Sequence, residues 1–219
     1  MDVTRLSENL NHLFDRCEKC GIRPKYRDKQ WCGRCIDIYR RGPISENRIL
    51  EDIPVGYCDA DVLDFKGEIE LVNVNSMENY FFCGDVGTGK THMMYALLKE
   101  AKRNGLSGRV IEFMQICSEI RKGYDCKSGP TEWDVIKKYS NYDILFLDDL
   151  GLQSGQVSDF TYLTFYQIID KRINNYLPTI ISSNKTPEQI GLSFDSRIAS
   201  RLQTFKIIEF KGKDRRKNE

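Results

Sequence analysis

Hydrophobic positions along the chain fall into two rhythms. Val3, Leu6, Leu10, Leu13 and Phe14 recur at helical spacing and predict an amphipathic helix over residues 3–16. Such a helix either packs on the module after it or binds a partner. Tyr80-Phe81-Phe82-Cys83 is a short apolar run of strand type, and residues 91–104 carry Met93, Met94, Leu97, Leu98 and Ala101 at helical spacing. The alternation then continues. Residues 109–114 predict a strand, 116–124 a helix, 126–130 a polar break, and Trp133, Ile136 and Tyr139 a helix ending at Ser140-Asn141. Residues 142–149 are an apolar run ending in two acids, 160–176 a long helix, and 178–184 a strand ending in Asn184. A short helix over 195–202 and a strand over 205–210 complete the series, and residues 211–219 are too polar to be anything but a tail.

The periodic part begins near residue 80, and what precedes it follows a different logic. Cys17-Glu18-Lys19-Cys20 and Cys32-Gly33-Arg34-Cys35 are two CxxC knuckles eleven residues apart. Four thiolates at this spacing predict one tetrahedral, structural Zn²⁺ held by Cys17, Cys20, Cys32 and Cys35. Four sulfur ligands leave no open position for catalysis. A piece of some twenty residues cannot bury a useful core alone, so the ion would supply its stability. The loop between the knuckles is basic and holds Tyr26 and Trp31. It suits a nucleic-acid backbone, a solvated rim or a protein-docking surface. The expected organisation is a helix plus zinc module over 1–45, a linker and approach segment over 46–79, a core over 80–210 and a basic tail over 211–219.

Composition narrows the class without naming it. Of 219 residues, 40% are hydrophobic and 30% charged, as expected for a globular chain with a sizeable core. The formal net charge is +1, so no global field announces a nucleic-acid partner. No apolar run is long enough to span a membrane, and residues 1–11 carry no signal-peptide core, so a cytoplasmic protein is expected. Eight cysteines in such a protein are not read as a disulfide framework.

The chemistry concentrates after the first strand of the core. Gly84-Asp85-Val86-Gly87-Thr88-Gly89-Lys90-Thr91 meets the phosphate-loop pattern through Gly84, Gly89, Lys90 and Thr91. Glycines let backbone N–H groups wrap a phosphate, and the helix beginning near Lys90 adds the positive end of its dipole. Lys90 brings a full charge to the β- and γ-phosphates, and the Thr91 hydroxyl is placed to ligate Mg²⁺. The strand over 142–149 delivers its acids to the carboxyl edge of a sheet, where ligands of open α/β sheets bind. Asp148 is the candidate Mg²⁺ carboxylate and Asp149 the candidate general base. Asn184 is placed to meet the γ-phosphate or the attacking water. Arg197 and Arg201 lie four apart and share one helix face.

With these pieces in order, GDVGTGKTH, ILFLDDLG, DKR before PTIISSN, and SRIASRL make residues 50–210 resemble AAA+ ATPases of the DnaC/DnaI/IstB group. The resemblance implies an α/β fold with a five-stranded parallel P-loop sheet and helices on both faces. It implies Gly84, Gly87, Thr88, Gly89, Lys90 and Thr91 as the nucleotide loop, Asp148 and Asp149 as the acid pair, and Asn184 as a γ-phosphate sensor. Arg201 matches an arginine finger, with Arg197 beside it. Two departures stand out. The sequence stops after the fifth strand, without the helical lid domain of full AAA+ modules. Asp149 stands where the group often has Glu, which implies slow hydrolysis. The implied function is loading of a replicative ring helicase onto single-stranded DNA, with self-assembly on the helicase or DNA and residues 1–45 docking the helicase. Two other readings stay open: an IstB-like transposition helper acting with a transposase on duplex DNA, and a zinc-containing adaptor that holds ATP as a structural ligand.

Overall fold

Tyr80–Gly84 forms β1, and its neighbours come from far along the chain. In the computed structural model, Tyr80 pairs in parallel with Ile180 on one side and Lys206 on the other. The described residues are 18–19, 32–42, 44–65, 72–74, 78–125, 129–151, 157–212 and 214–215. The chain divides into two units, residues 1–43 and 44–219.

In the first unit the described residues form one helix, α1 (Gly33–Arg41), entered through Cys32 in extended conformation. Cys32 and Cys35 are both buried. Cys17, Cys20, the helix predicted over 3–16 and the basic loop lie outside the described residues.

The second unit opens with α2 (Glu46–Leu50) and two 3₁₀ turns, Val55–Tyr57 and Val62–Asp64. This segment, read as a linker from sequence, buries Ile49, Ile53, Ala60 and Phe65. It is fastened to α3 (Lys90–Arg103), where Lys99 Nζ donates to the Cys58 carbonyl at 2.7 Å and Arg103 pairs with Glu46 at 2.6 Å.

The remaining elements are β2 (Gly108–Glu112), α4 (Phe113–Asp125), α5 (Glu132–Asn141), β3 (Ile144–Asp148) and α6 (Asp159–Asn174), then β4 (Thr179–Ser183), α7 (Pro187–Ser193), α8 (Ser196–Leu202) and β5 (Lys206–Phe210). All strand pairs are parallel, in the order β2-β3-β4-β1-β5. The central strands are buried on both faces and therefore read as continuous apolar runs, Ile144 to Leu147 above all. Leu145, Leu147, Phe81 and Ile181 pack with α4, α5, α6 and α8. Helix α3 covers the other face with Met93, Met94, Leu97 and Leu98 fully buried. Each such side chain contributes about 1.5–3 kcal/mol on burial.

Two boundaries differ from the periodicity. The second strand stops at Glu112, because Phe113 and Met114 already form the first turn of α4. Helix α7 was not predicted, although its signal is local: Thr186 caps it, Pro187 starts it, and Gln189 completes a capping box.

Among the described residues the largest fully buried side chain is a charged one. Arg172, at the end of α6, is fully buried. Its guanidinium donates to the carbonyls of Tyr139, Tyr142 and Pro178 at 2.7–3.1 Å, and its Nε donates to Thr179 Oγ1 at 2.8 Å. It thereby ties the end of α5 to the segments entering β3 and β4.

Candidate functional site

Strand β1 ends in the glycine loop, and each glycine there has a backbone reason. Gly84, Gly87 and Gly89 have φ of 140°, 83° and 100°. A Cβ at Gly84 would collide with the Phe210 carbonyl of β5, and one at Gly87 with the Asp214 carboxylate. The left-handed Gly89 opens α3, whose first residue is Lys90. Lys90 Nζ donates to the carbonyls of Gly84 and Asp85 at 2.6 and 2.7 Å. Thr88 Oγ1 donates to the Asp85 carbonyl at 2.8 Å. Burial lowers the Lys90 pKa, opposed by the negative charges of Asp148, Asp149 and Asp85.

The sheet order brings the acids to this loop. Strand β4 separates β1 from β3, so the carboxyl ends of all three meet above the loop. Asp148 is buried, and its Oδ1 accepts from Thr91 Oγ1 at 3.2 Å and from Ser182 Oγ at 2.5 Å. Ser182 Oγ also accepts from the Asp149 backbone N–H at 2.9 Å. One serine on β4 thus fixes both acids of β3. Sequence reading passed over Ser182, because its role exists only once β3 and β4 are neighbours. Asp149 has φ of 45°, a left-handed backbone that costs a non-glycine residue of order 1–3 kcal/mol. Its carbonyl accepts from Gly151 N–H at 2.6 Å, closing a tight turn.

These groups line one cleft of about 940 Å³. Lys90, Thr91, Asp148, Asp149, Ser182 and Asn184 are all among the residues that line it. Tyr57, His92 and Tyr95 line it as well. Tyr57 stacks on Tyr95 with ring centroids 4.6 Å apart, and the His92 ring lies 5.7 Å from that of Phe65. His92 Nε2 meets Asp64 Oδ2 at 2.8 Å. The Asp64 pKa is lowered, first by the Asp61 backbone N–H and then by His92. The segment read from sequence as a linker and approach therefore contributes Gly56, Tyr57 and Asp64 to the cleft.

A further residue, Arg215, was dismissed with the polar tail. Its backbone N–H donates to the Gly87 carbonyl at 3.0 Å, and its guanidinium lies 4.3 Å from the Phe65 ring centre, inside the cleft. The available signal was a basic pair, Arg215-Arg216, separated from the last strand by four residues.

Arg197 and Arg201 are not among the residues lining this cleft. Arg201 Nε donates to Asp170 Oδ1 at 3.1 Å, its Nη2 donates to Tyr166 OH at 2.9 Å, and the guanidinium lies 4.4 Å from the Tyr166 ring centre. Arg197 is exposed one turn earlier on α8.

Cys32 and Cys35 sit at the N-terminus of α1, where the helix dipole favours thiolates. Two buried thiols three apart at one helix start suit one of the two knuckles of a four-cysteine metal site. Among the described residues no group of three His, Cys, Asp or Glu forms a metal site, and the other knuckle lies outside them. No helix among the described residues is long and apolar enough to cross a membrane.

Comparison with known proteins agrees with this geometry. The chain is 27% identical over 128 residues to the replicative helicase loader DnaC of Escherichia coli (strain K12), covering 58% of this chain and 51% of the relative. It is 32% identical over 147 residues to the chromosomal replication initiator protein DnaA of Aquifex aeolicus, covering 64% and 34%. The chain thus spans about half the length of the DnaC relative and a third of the DnaA relative. Crystal structures of the DnaC helicase loader and of DnaI superpose with TM-scores of 0.60 and 0.58, each at 21% identity. They cover 72% and 74% of this chain and 100% and 94% of their own. The fold is that of the AAA+ P-loop proteins. The family described as IstB-like ATP binding protein matches residues 39–206, well over half of the chain, and the chain belongs to that family.

Proposed function

We propose that this protein hydrolyses ATP and uses it to load a replicative ring helicase onto single-stranded DNA in the cytoplasm. The convergence of Lys90, Thr91, Asp148, Asp149 and Asn184 in one cleft carries the ATPase reading. The similarity to DnaC, named as a replicative helicase loader, supports the loading step.

The roles follow from position. The glycine loop and Lys90 hold the β- and γ-phosphates, and the Tyr57–Tyr95 side of the cleft takes the base. Thr91 and Asp148 hold Mg²⁺, which neutralises charge on the phosphates when bound. Asp149 orients the attacking water, and Asn184 contacts the γ-phosphate. Arg201, with Arg197 beside it, serves the nucleotide of a neighbouring copy assembled on helicase or DNA. In the unassembled chain Asp170 holds that guanidinium. A Zn²⁺ on Cys17, Cys20, Cys32 and Cys35 shapes residues 1–45 to dock the helicase.

The test reconstitutes loading. The protein, its ring helicase, single-stranded DNA and ATP are combined, and unwinding of a fork on a circular template is followed. The parent protein is expected to stimulate unwinding and Lys90→Ala to give none. Unwinding that is indifferent to the protein overturns the loader reading. Stimulation of ATP turnover by duplex DNA alone would instead support the transposition-helper reading.

A further inference from the structure

The cleft contains a carboxylate to which no role has been given. Glu112 is the last residue of β2 and lines the cleft with Gln115, one turn into α4. Its Cα is the register partner of the Asp148 Cα on β3. Adjacent strands lie about 4.8 Å apart, so the two carboxylates leave the same sheet edge side by side. Val110 and Ile111 before it are buried, whereas Glu112 is exposed on the cleft wall. Asp148 and Glu112 both act on one phenol, raising the Tyr95 pKa after the larger effect of burial.

Asp149 is less well placed to stand alone. Its backbone is bent to φ 45°, and its Oδ1 lies 3.2 Å from where a Cβ on Gly151 would stand, so its carboxylate folds over its own turn. It is also one methylene shorter than Glu112.

We propose that Glu112 is a second catalytic carboxylate, which holds the attacking water from the β2 side and accepts its proton. The proposal rests on the ATPase reading above. The water oxygen forms a bond to the γ-phosphorus while the bond from that phosphorus to the β–γ bridging oxygen breaks. The electron pair stays on the β-phosphate of ADP. The water proton passes to a Glu112 carboxylate oxygen and from there to solvent. Asp148 remains with the metal, and Asp149 steadies the water from the other side.

Glu112→Gln keeps the shape and removes the proton acceptor. Its turnover on the single-stranded DNA and helicase template is measured beside its affinity for a non-hydrolysable ATP analogue. Loss of a general base costs about 10²–10⁴-fold. A tenfold or greater fall in kcat, with affinity held within threefold of the parent, is the expected result. A kcat less than tenfold below the parent overturns the proposal. So does an affinity change beyond threefold, which would make Glu112 a binding residue. Glu112→Asp checks against misfolding: it should bind the analogue as the parent does and turn over faster than Glu112→Gln. A Glu112→Asp no faster than Glu112→Gln overturns the proposal. A parent with no ATP turnover on any template overturns the ATPase reading and this proposal with it. An active parent beside an equally active Glu112→Gln overturns this proposal alone.

Discussion

Ser182 shows how one hydroxyl can set the geometry of two acids. It donates to Asp148 Oδ1 and accepts from the Asp149 N–H, so both acids of β3 are held by the tip of β4. A hydrogen bond to a charged group is worth about 1.5–3 kcal/mol, roughly a tenfold to hundredfold effect. Ser182→Ala is expected to lower ATP turnover by about tenfold or more. Affinity for nucleotide should change little, because Lys90 and the loop are untouched. Steady-state turnover beside equilibrium binding checks this; equal losses in both would show that Ser182 supports the loop instead. Lys90, Thr91 and Asp148 were legible in sequence because their motifs are contiguous with the strand that presents them. Ser182, Glu112 and Arg215 were not, since each gains its meaning from a strand or loop that is distant in sequence.

At the scale of elements, Arg172 joins one helix to the entrances of two strands. Its charge is satisfied by carbonyl dipoles of Tyr139, Tyr142 and Pro178 and by Thr179. Arg172→Leu fills part of the volume and removes the donor to the Tyr139 and Tyr142 carbonyls, while the Pro178 carbonyl keeps the Leu145 N–H. An unsatisfied buried acceptor costs about 1–3 kcal/mol, so with two acceptors losing their donor the variant is expected to lose about 2–6 kcal/mol of stability. Denaturant unfolding followed by circular dichroism reads this, and a loss under 1 kcal/mol would show that water replaces the guanidinium. Most elements were readable from periodicity, because strands buried on both faces give unbroken apolar runs and α3 keeps a strict helical repeat. The end of β2 was not, because Phe113 suits a strand by composition and only its packing among α4 and α6 side chains settles it in a helix.

For the whole molecule, the two units make separable predictions. Purified protein is expected to carry about one Zn²⁺ per chain. Cys32→Ser should release the ion and disturb the first unit, while nucleotide affinity, which resides in residues 44–219, stays at the parent value. Metal analysis with ATP titration on the same sample decides; metal-free parent protein rules the zinc site out. Assembly is tested by mixing. Arg201→Ala should bind ATP and fail to turn it over, and Lys90→Ala should fail to bind. Combined on the helicase and DNA template, they should recover some activity, because a trans arginine is worth ~10³-fold or more. A mixture that stays inactive on a template that activates the parent leaves Arg201 in its own subunit, paired with Asp170.

The place of β1 in the sheet also has a bearing on how the protein is made. The nucleotide strand lies between β4 and β5, and its partners Ile180 and Lys206 are synthesised long after Tyr80. A chain emerging from the ribosome with β2 and β3 already paired still has a bare strand bearing the glycine loop. Non-local pairing of this kind is slow, because loop closure precedes any gain from contacts. In the finished sheet the Phe210 carbonyl of β5 lies against Gly84, so the strand that carries the glycine loop is flanked on both sides only after the last strand has been made. A ligand that binds the completed sheet and not the unfinished chain would add its binding free energy to the finished fold.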